Sequence, residues 1–164
     1  MDTLNLWLAT GFGVGFMPLA PGTWGSLWGL ALAWWLGKQN PGRQAAAIAA
    51  LALLAVPVCH RASMQFFIGD DAGGIVLDEI IALPLALLGL RLCPGPPARR
   101  WPWQVVAFGL FRGFDAFKPP PVGWAEALPG GLGIVADDLA AAGLAGLCLA
   151  ALLVLCRRLR LGAA

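Results

Sequence analysis

The acidic residues of this chain are few, and their positions restrict how it can fold. Hydrophobic residues make up 59% of the 164 residues, whereas Asp and Glu together number nine. Seven of the nine fall near the predicted ends of apolar stretches: Asp70, Asp71, Asp78, Glu79, Asp115, Asp137 and Asp138. An unpaired carboxylate beside hydrocarbon is costly, so a cluster of them needs a reason. Divalent metal binding is an economical one, because carboxylate oxygens hold hard cations such as Mg²⁺.

The overall composition indicates an integral membrane protein. Charged residues make up 12% of the chain, against about 25% in soluble domains, and the mean hydropathy is +0.76. We therefore predict one membrane-embedded domain over residues 1–164. A net charge of +2 gives no broad basic field for binding nucleic acid. The four cysteines form no CxxC pair and predict neither a disulfide framework nor a metal site: Cys59, Cys93, Cys148 and Cys156.

The apolar runs predict an all-α fold, a membrane-embedded bundle of about five main helices joined by Gly/Pro-rich loops. The predicted helices are about Ser26–Leu36, Gln44–Cys59, Ile75–Leu92, Trp103–Phe117 and Ile134–Leu155. The second and fifth approach the ~20 residues needed to cross a bilayer. The first and fourth are shorter, so they are expected to be buried in the bundle or to enter the membrane and return. No internal repeat is predicted.

The up-and-down order of these helices separates the charges. It brings the acidic residues, His60 and both glycine-rich loops to one face of the bundle. Most basic residues fall on the other face: Lys38, Arg43, Arg91, Arg99, Arg100, Arg157, Arg158 and Arg160. Core packing alone does not require such a separation, so the acidic face is the predicted site.

Two motifs supply most of the predicted site. In IVLDE, residues 75–79, two acids open a helix and can border one cavity; a first-turn preference for acids is the simpler explanation of that pair alone. In FRGFDAFKPPP, residues 111–121, Arg112, Asp115 and Lys118 recur every three residues along one helical stripe. Such a ladder suits a phosphate beside a metal ligand, although a structural salt bridge between Arg112 and Asp115 explains it equally well.

Two glycine-rich segments accompany these motifs. In GGLGIVADD, residues 130–138, glycines that allow close approach to a ligand precede a paired acid at the head of a helix. GFGVGFMPLAPGTWGS, residues 11–26, lacks the Lys of a Walker loop. It is interpreted as a phosphate or head-group loop, or else as a turn at the membrane interface. Thr23 or Ser26 is expected to cap the helix that follows.

Taken in this order and spacing, the four segments resemble the phosphatidylglycerophosphatase A family, over about residues 11–143. The resemblance implies an all-helical, membrane-bound, Mg²⁺-dependent enzyme of the bacterial inner membrane. Such an enzyme removes the phosphate monoester from phosphatidylglycerophosphate and leaves phosphatidylglycerol. By position, the resemblance implies that the catalytic residues are Asp78, Glu79, Asp115, Lys118, Asp137 and Asp138. Asp71 falls where family members often have a further acid.

From this resemblance we expect a division of roles within the site. The expected metal ligands are Glu79, Asp115, Asp137 and Asp138, and the expected substrate-binding residues are Arg112, Lys118, Thr23, Ser26 and Gly131. Asp78 would orient or deprotonate a water, or else Asp78 or Asp115 would be phosphorylated. A small ion- or proton-coupled carrier is the alternative, since acids and a Lys in membrane helices also suit transport.

Overall fold

The computed structural model describes residues 2–67, 73–92 and 100–162. Within those ranges the chain is all-α, as predicted, and contains no strand. Its helices are α1 Asp2–Ala9, α2 Pro21–Leu36, α3 Pro41–Phe66, α4 Leu77–Ala86, α5 Trp101–Phe117, α6 Val122–Glu126 and α7 Gly131–Gly162, with 3₁₀ turns at Val14–Phe16 and Leu87–Leu92. The five predicted helices correspond to α2, α3, α4, α5 and α7, while α1 and α6 were not expected. The predictions for Asp70, Asp71, Cys93 and Arg99 lie outside the described residues.

The start of α2 corrects the predicted role of Thr23 and Ser26. This helix begins at Pro21 and not at Ser26, because Pro favours the first helical position. The residue before it, Ala20, is in the left-handed region (φ 48°) and caps nothing with its side chain. Thr23 and Ser26 therefore lie inside the helix, and the expectation that either of them caps it is wrong.

The other boundaries also differ from the sequence prediction. α3 extends to Phe66, and its start is capped by Asn40, whose side chain accepts a hydrogen bond of 2.8 Å from the Arg43 N–H. α4 gives way to the 3₁₀ turn at Leu87, three residues after its internal Pro84. α7 begins three residues earlier than predicted, at Gly131. The loop glycines thus form its first turn, and the acidic pair lies almost two turns inside the helix.

The core is built around α7, which contacts α3, α4, α5 and α6. Phe111, Leu83 and Leu149 are fully buried between these helices. Small residues on α7, among them Ala141 and Ala145, are also fully buried and let the neighbouring helices come close. The result is a tight helical contact around the helix that carries one acidic pair.

Two phenylalanines on α5 provide a stability prediction. Phe111 is fully buried, whereas Phe117 is 88% exposed. Phe111→Ala leaves a cavity between α5 and α7 and should lower the free energy of unfolding by about 3–5 kcal/mol. Phe117→Ala, the matched control, should change it by less than about 0.5 kcal/mol. Chemical denaturation in detergent measures both, and equal effects would contradict the packing described.

Two helices of the described chain are long and apolar enough to cross a membrane, Pro41–Phe66 and Gly131–Leu159. Only 28% of the apolar window of each is buried inside the protein. The core helix of a soluble protein would be mostly buried, so this exposed apolar surface is compatible with a lipid environment. Membrane embedding itself stays a prediction.

Candidate active site

The predicted catalytic residues meet in one cavity of about 600 Å³. Its lining includes Asp78, Glu79, Asp115, Lys118, Asp137 and Asp138, together with Arg112 and Glu126. The side chains come from the start of α4, the end of α5, the end of α6 and the second turn of α7. Residues separated by up to 60 positions in the sequence thus share one polar space, with six carboxylates and two cations around it.

Glu79 is held against α2 by two features of that helix. Oγ of Ser26 lies within hydrogen-bond distance of Oε2 of Glu79 (3.1 Å) and of the backbone carbonyl oxygen of Gly22 (2.8 Å), and the single hydroxyl proton is shared between these two acceptors. Gly22 itself leaves room for the carboxylate, because a Cβ at this position would collide with Oε1 of Glu79. Ser26 was expected to bind substrate; its observed contact is with a predicted metal ligand.

Gly22→Ala is therefore expected to displace the Glu79 carboxylate and to lower the phosphate release that the family resemblance implies by about 10²-fold, as misplacing a reacting group by roughly 1 Å does. The matched control is Gly109→Ala, also a helical glycine, where a Cβ has nothing within 4 Å. This control should leave activity unchanged and favour the helix slightly. Equal activity of the two variants in a phosphate-release assay would show that Glu79 does not need this position.

The two cations link the carboxylates in pairs. Nη1 of Arg112 lies 2.8 Å from Oε1 of Glu79 and 2.8 Å from Oδ2 of Asp115. Nζ of Lys118 lies 2.9 Å from Oδ2 of Asp137 and also contacts the Glu126 carboxylate. The Arg112–Asp115 salt bridge that sequence spacing allowed is thus present, and Arg112 joins α5 to α4 in addition. Lys118 reaches both partners from a left-handed conformation (φ 45°) at the C-terminal cap of α5.

The two acidic pairs share a local pattern that corrects the expectation of no internal repeat. Gly-Ile-Val-x-Asp followed by an acid occurs at residues 74–79 and again at 133–138. In each copy the first Asp accepts a hydrogen bond of 2.9 Å from the next backbone N–H, that of Glu79 or Asp138. The repeat is six residues long, so a search for longer units does not detect it. Its two copies face the same cavity from α4 and α7.

Burial shifts the pKa of those cavity side chains that lie outside the two candidate membrane spans. Burial raises the pKa of Asp78, and the negative charge of Glu79 raises it further. Burial also raises the pKa of Glu79, and Arg112 opposes this change in part. For Lys118, burial lowers the pKa, but hydrogen bonds to Glu126 and Asp137 outweigh it and the net pKa is raised. The site thus favours the protonated form of Lys118 and disfavours the simultaneous ionisation of Asp78 and Glu79.

The carboxylate oxygens that line this cavity are the ligand type of a hard divalent cation. Asp78 and Asp138 are 7% and 4% exposed, and no described cation forms an ion pair with either. Buried carboxylates in that state need a proton or a positive charge nearby. No three described His, Cys, Asp or Glu side chains are gathered at a metal ligand spacing, and four of the six cavity carboxylates instead pair with Arg112 and Lys118. Binding a metal would require these side chains to rotate.

Some residues fall outside the cavity or were not expected in it. Thr23 is half-buried on α2 and does not line the cavity, and Gly131 packs against the backbone of α3 near His60. Their expected role in substrate binding stays a prediction.

Glu126 was missed, because it lies on an unpredicted five-residue helix and no sequence motif marks it. That Glu126 lies next to Lys118 follows only from the fold.

Comparisons with known proteins agree on one family. The family model for phosphatidylglycerophosphatase A matches residues 7–153. The chain is similar to phosphatidylglycerophosphatase A of Escherichia coli, at 35% identity over 84% of this chain and 77% of the relative, and to that of Haemophilus influenzae, at 37% over 82% and 80%. A Bacteroides thetaiotaomicron protein with the provisional name phosphatidylinositol-3-phosphatase is 35% identical over 84% and 86%. No solved structure matches this chain significantly.

The family match covers most of the described helices, from α1 to the second half of α7, and therefore all the residues that line the carboxylate cavity. The matched region spans more than three quarters of the length of two relatives, each of them more than 30% identical to this chain. Their names are those of phosphatases and do not support the carrier alternative. The chain belongs to the phosphatidylglycerophosphatase A family.

Proposed function

We propose that this protein is a Mg²⁺-dependent lipid phosphatase of the bacterial inner membrane that hydrolyses the phosphate monoester of phosphatidylglycerophosphate. The products would be phosphatidylglycerol and inorganic phosphate. The observation that carries the proposal is the cavity in which carboxylates of both acidic pairs surround Arg112 and Lys118. The names of the Escherichia coli and Haemophilus influenzae relatives support the choice of substrate.

The phosphate would be held by the two cations of the cavity. Arg112 touches both carboxylate partners through one nitrogen, Nη1, which leaves its other N–H groups for phosphate oxygens. Lys118 would supply a second positive charge beside Asp137. A phosphomonoester needs its charge neutralised and its leaving oxygen aligned opposite the nucleophile. These two residues would therefore serve both binding and orientation.

Glu79, Asp115, Asp137 and Asp138 would hold Mg²⁺. The bound ion would neutralise charge on the phosphate and on the leaving alkoxide. The neighbouring residues keep the ligands in place: Ser26 and Gly22 hold Glu79 against α2, and Lys118 holds Asp137. Ser26 is in this proposal a positioning residue, in contact with Glu79.

Asp78 is the candidate for activating the nucleophile. It is buried at the cavity, and its Oδ1 accepts from the Glu79 N–H, which fixes its orientation. It would orient a water or take up its proton; a phosphorylated Asp78 or Asp115 is the other route. A rapid acid quench of the enzyme with substrate labelled by radioactive phosphorus separates the routes, because only the second route passes through protein that carries covalently bound phosphate.

Head-group access from the lipid–water interface would explain a polar cavity in an apolar protein. The substrate phosphate would enter the cavity while the acyl chains stay in the bilayer beside the exposed apolar faces of α3 and α7. A soluble phosphatase would have no need for such faces. The membrane location and the lipid substrate are thus one proposal.

Substrate preference tests this function directly. Purified protein in detergent with Mg²⁺ should release phosphate from phosphatidylglycerophosphate at least tenfold faster than from phosphatidylinositol 3-phosphate, because the family match and two named relatives point to the former. The second lipid is included because it is the one implied by the name of the Bacteroides relative. A reversed preference would transfer the proposal to that lipid. No release from either, with well-folded protein, would overturn it.

A further inference from the structure

A second polar cavity, of about 360 Å³, lies at the end of the bundle opposite the carboxylates. Lys38 follows the end of α2, Arg91 lies in the 3₁₀ turn after α4, and Arg100 immediately precedes α5; all three line it. Along α2, the twelve residues from Ser26 to Lys38 correspond to roughly 18 Å. The cavity is therefore separate from the site that holds Glu79, and the proposed phosphatase chemistry does not use it.

The described side chains of this lining carry positive charge. None of the described Asp or Glu side chains lines the cavity, whereas Lys38 and Arg91 both do. α3 and α5 begin near this cavity and α2 ends at it, so the partial charges of the helix ends oppose one another there. The cavity thus favours an anion through its side chains.

One of these cations, Arg91, is held in place by two specific hydrogen bonds. Nη2 of Arg91 donates to Oε1 of Gln44 (2.6 Å) and to the backbone carbonyl of Gln39 (2.9 Å). Gln44 is only 3% exposed. This buried amide fixes the guanidinium at the edge of the cavity, through one of its nitrogens. The charge of Arg91 is thus held in position and not merely exposed to solvent.

The rest of the lining suits an amphipathic ligand. Leu30, Ala33, Leu87 and Leu90 provide apolar walls beside the cations. Trp34 is 69% exposed, and the Lys38 ammonium lies 3.5 Å from the centroid of its ring. Exposed Trp next to Lys and Arg is typical of the level at which lipid head groups meet hydrocarbon. A free phosphate would have no use for the apolar walls.

We propose that this basic cavity binds the phosphate-bearing head group of an anionic phospholipid, in the leaflet opposite the carboxylate cavity. The cations would hold the phosphodiester, and the apolar walls would contact the first carbons of the lipid chains. The proposal rests on the membrane embedding proposed above. The proposed ligand is held and not hydrolysed, because none of the described residues that line the cavity carries a carboxylate.

The test measures fluorescence anisotropy of a labelled phosphatidylglycerol with the full chain in dodecyl maltoside. EDTA is present, because the metal-free carboxylate cavity repels anions. Lys38→Gln/Arg91→Gln should weaken binding tenfold or more. The matched control, Arg157→Gln/Arg158→Gln, removes the same charge from exposed residues of α7 at the same end of the bundle and should change it less than twofold. Labelled phosphatidylcholine should bind at least tenfold more weakly than the anionic lipid to the unchanged protein.

Three results would overturn the proposal: equal losses in both double variants, equal binding of the two lipids, or full displacement by millimolar inorganic phosphate. If the first double variant does not give a monodisperse protein, Lys38→Gln alone is compared with Arg157→Gln, because Lys38 is exposed and contacts the Trp34 ring. Phosphatase activity is measured separately with Mg²⁺. Its absence would sink the proposed function, whereas the lipid-binding result in EDTA would stand by itself.

Discussion

Replacing Asp137 with Asn is expected to lower phosphate release by about 10²–10³-fold, as the loss of one well-placed electrostatic group does in other enzymes. The substitution keeps the shape of the side chain and removes the charge that Mg²⁺ and Lys118 both need. Asp137 is 7% exposed, so solvent offers little replacement for that charge. The measurement is the initial rate with phosphatidylglycerophosphate at saturating Mg²⁺.

Glu126→Gln is the matched control for this variant. Glu126 and Asp137 both contact Nζ of Lys118, so each substitution removes one partner of the same cation. The side chain of Glu126, however, is 53% exposed and is not one of the proposed metal ligands. Its loss should lower the rate by less than about tenfold, since exposed ion pairs contribute little. Similar rates for the two variants would show that Asp137 acts only through Lys118.

Removing divalent metal should lower phosphate release at least as much as Asp137→Asn does. With EDTA in excess, phosphate release is expected to stop, and added Mg²⁺ should restore it, because the cavity has more carboxylates than cations. A second readout does not depend on activity: Mg²⁺ should raise the thermal unfolding temperature of the unchanged protein by binding the native state. Asp138→Asn should lose much of that shift.

Activity that persists in EDTA would contradict the metal proposal while leaving the family assignment intact. Restored activity without a thermal shift would instead indicate that the metal binds together with the substrate. Phe111→Ala offers a useful comparison here. It should lower the unfolding temperature of the protein and yet retain the Mg²⁺-dependent increase, because Phe111 is buried in the core and does not line the carboxylate cavity.

The helices could be predicted from the sequence because long apolar runs need a regular, internally bonded backbone. Their ends could not be predicted equally well. Pro21 starts α2 five residues before the predicted start, and the glycines at residues 131 and 133 belong to α7 although glycine usually marks a loop. At Gly131 the tertiary contact decides, because a side chain there would collide with the backbone of α3.

The amino-acid sequence by itself determined an all-helical chain, the two acidic pairs and the positions of the lysine and arginine beside them. Local patterns carry that information, since acids at the ends of apolar runs are visible without a fold. Only the tertiary structure decided that Ser26 and Gly22 hold Glu79, that Glu126 shares Lys118 with Asp137, and that three distant cations line a second cavity. These contacts join residues from separate helices, and their distances depend on how the helices pack.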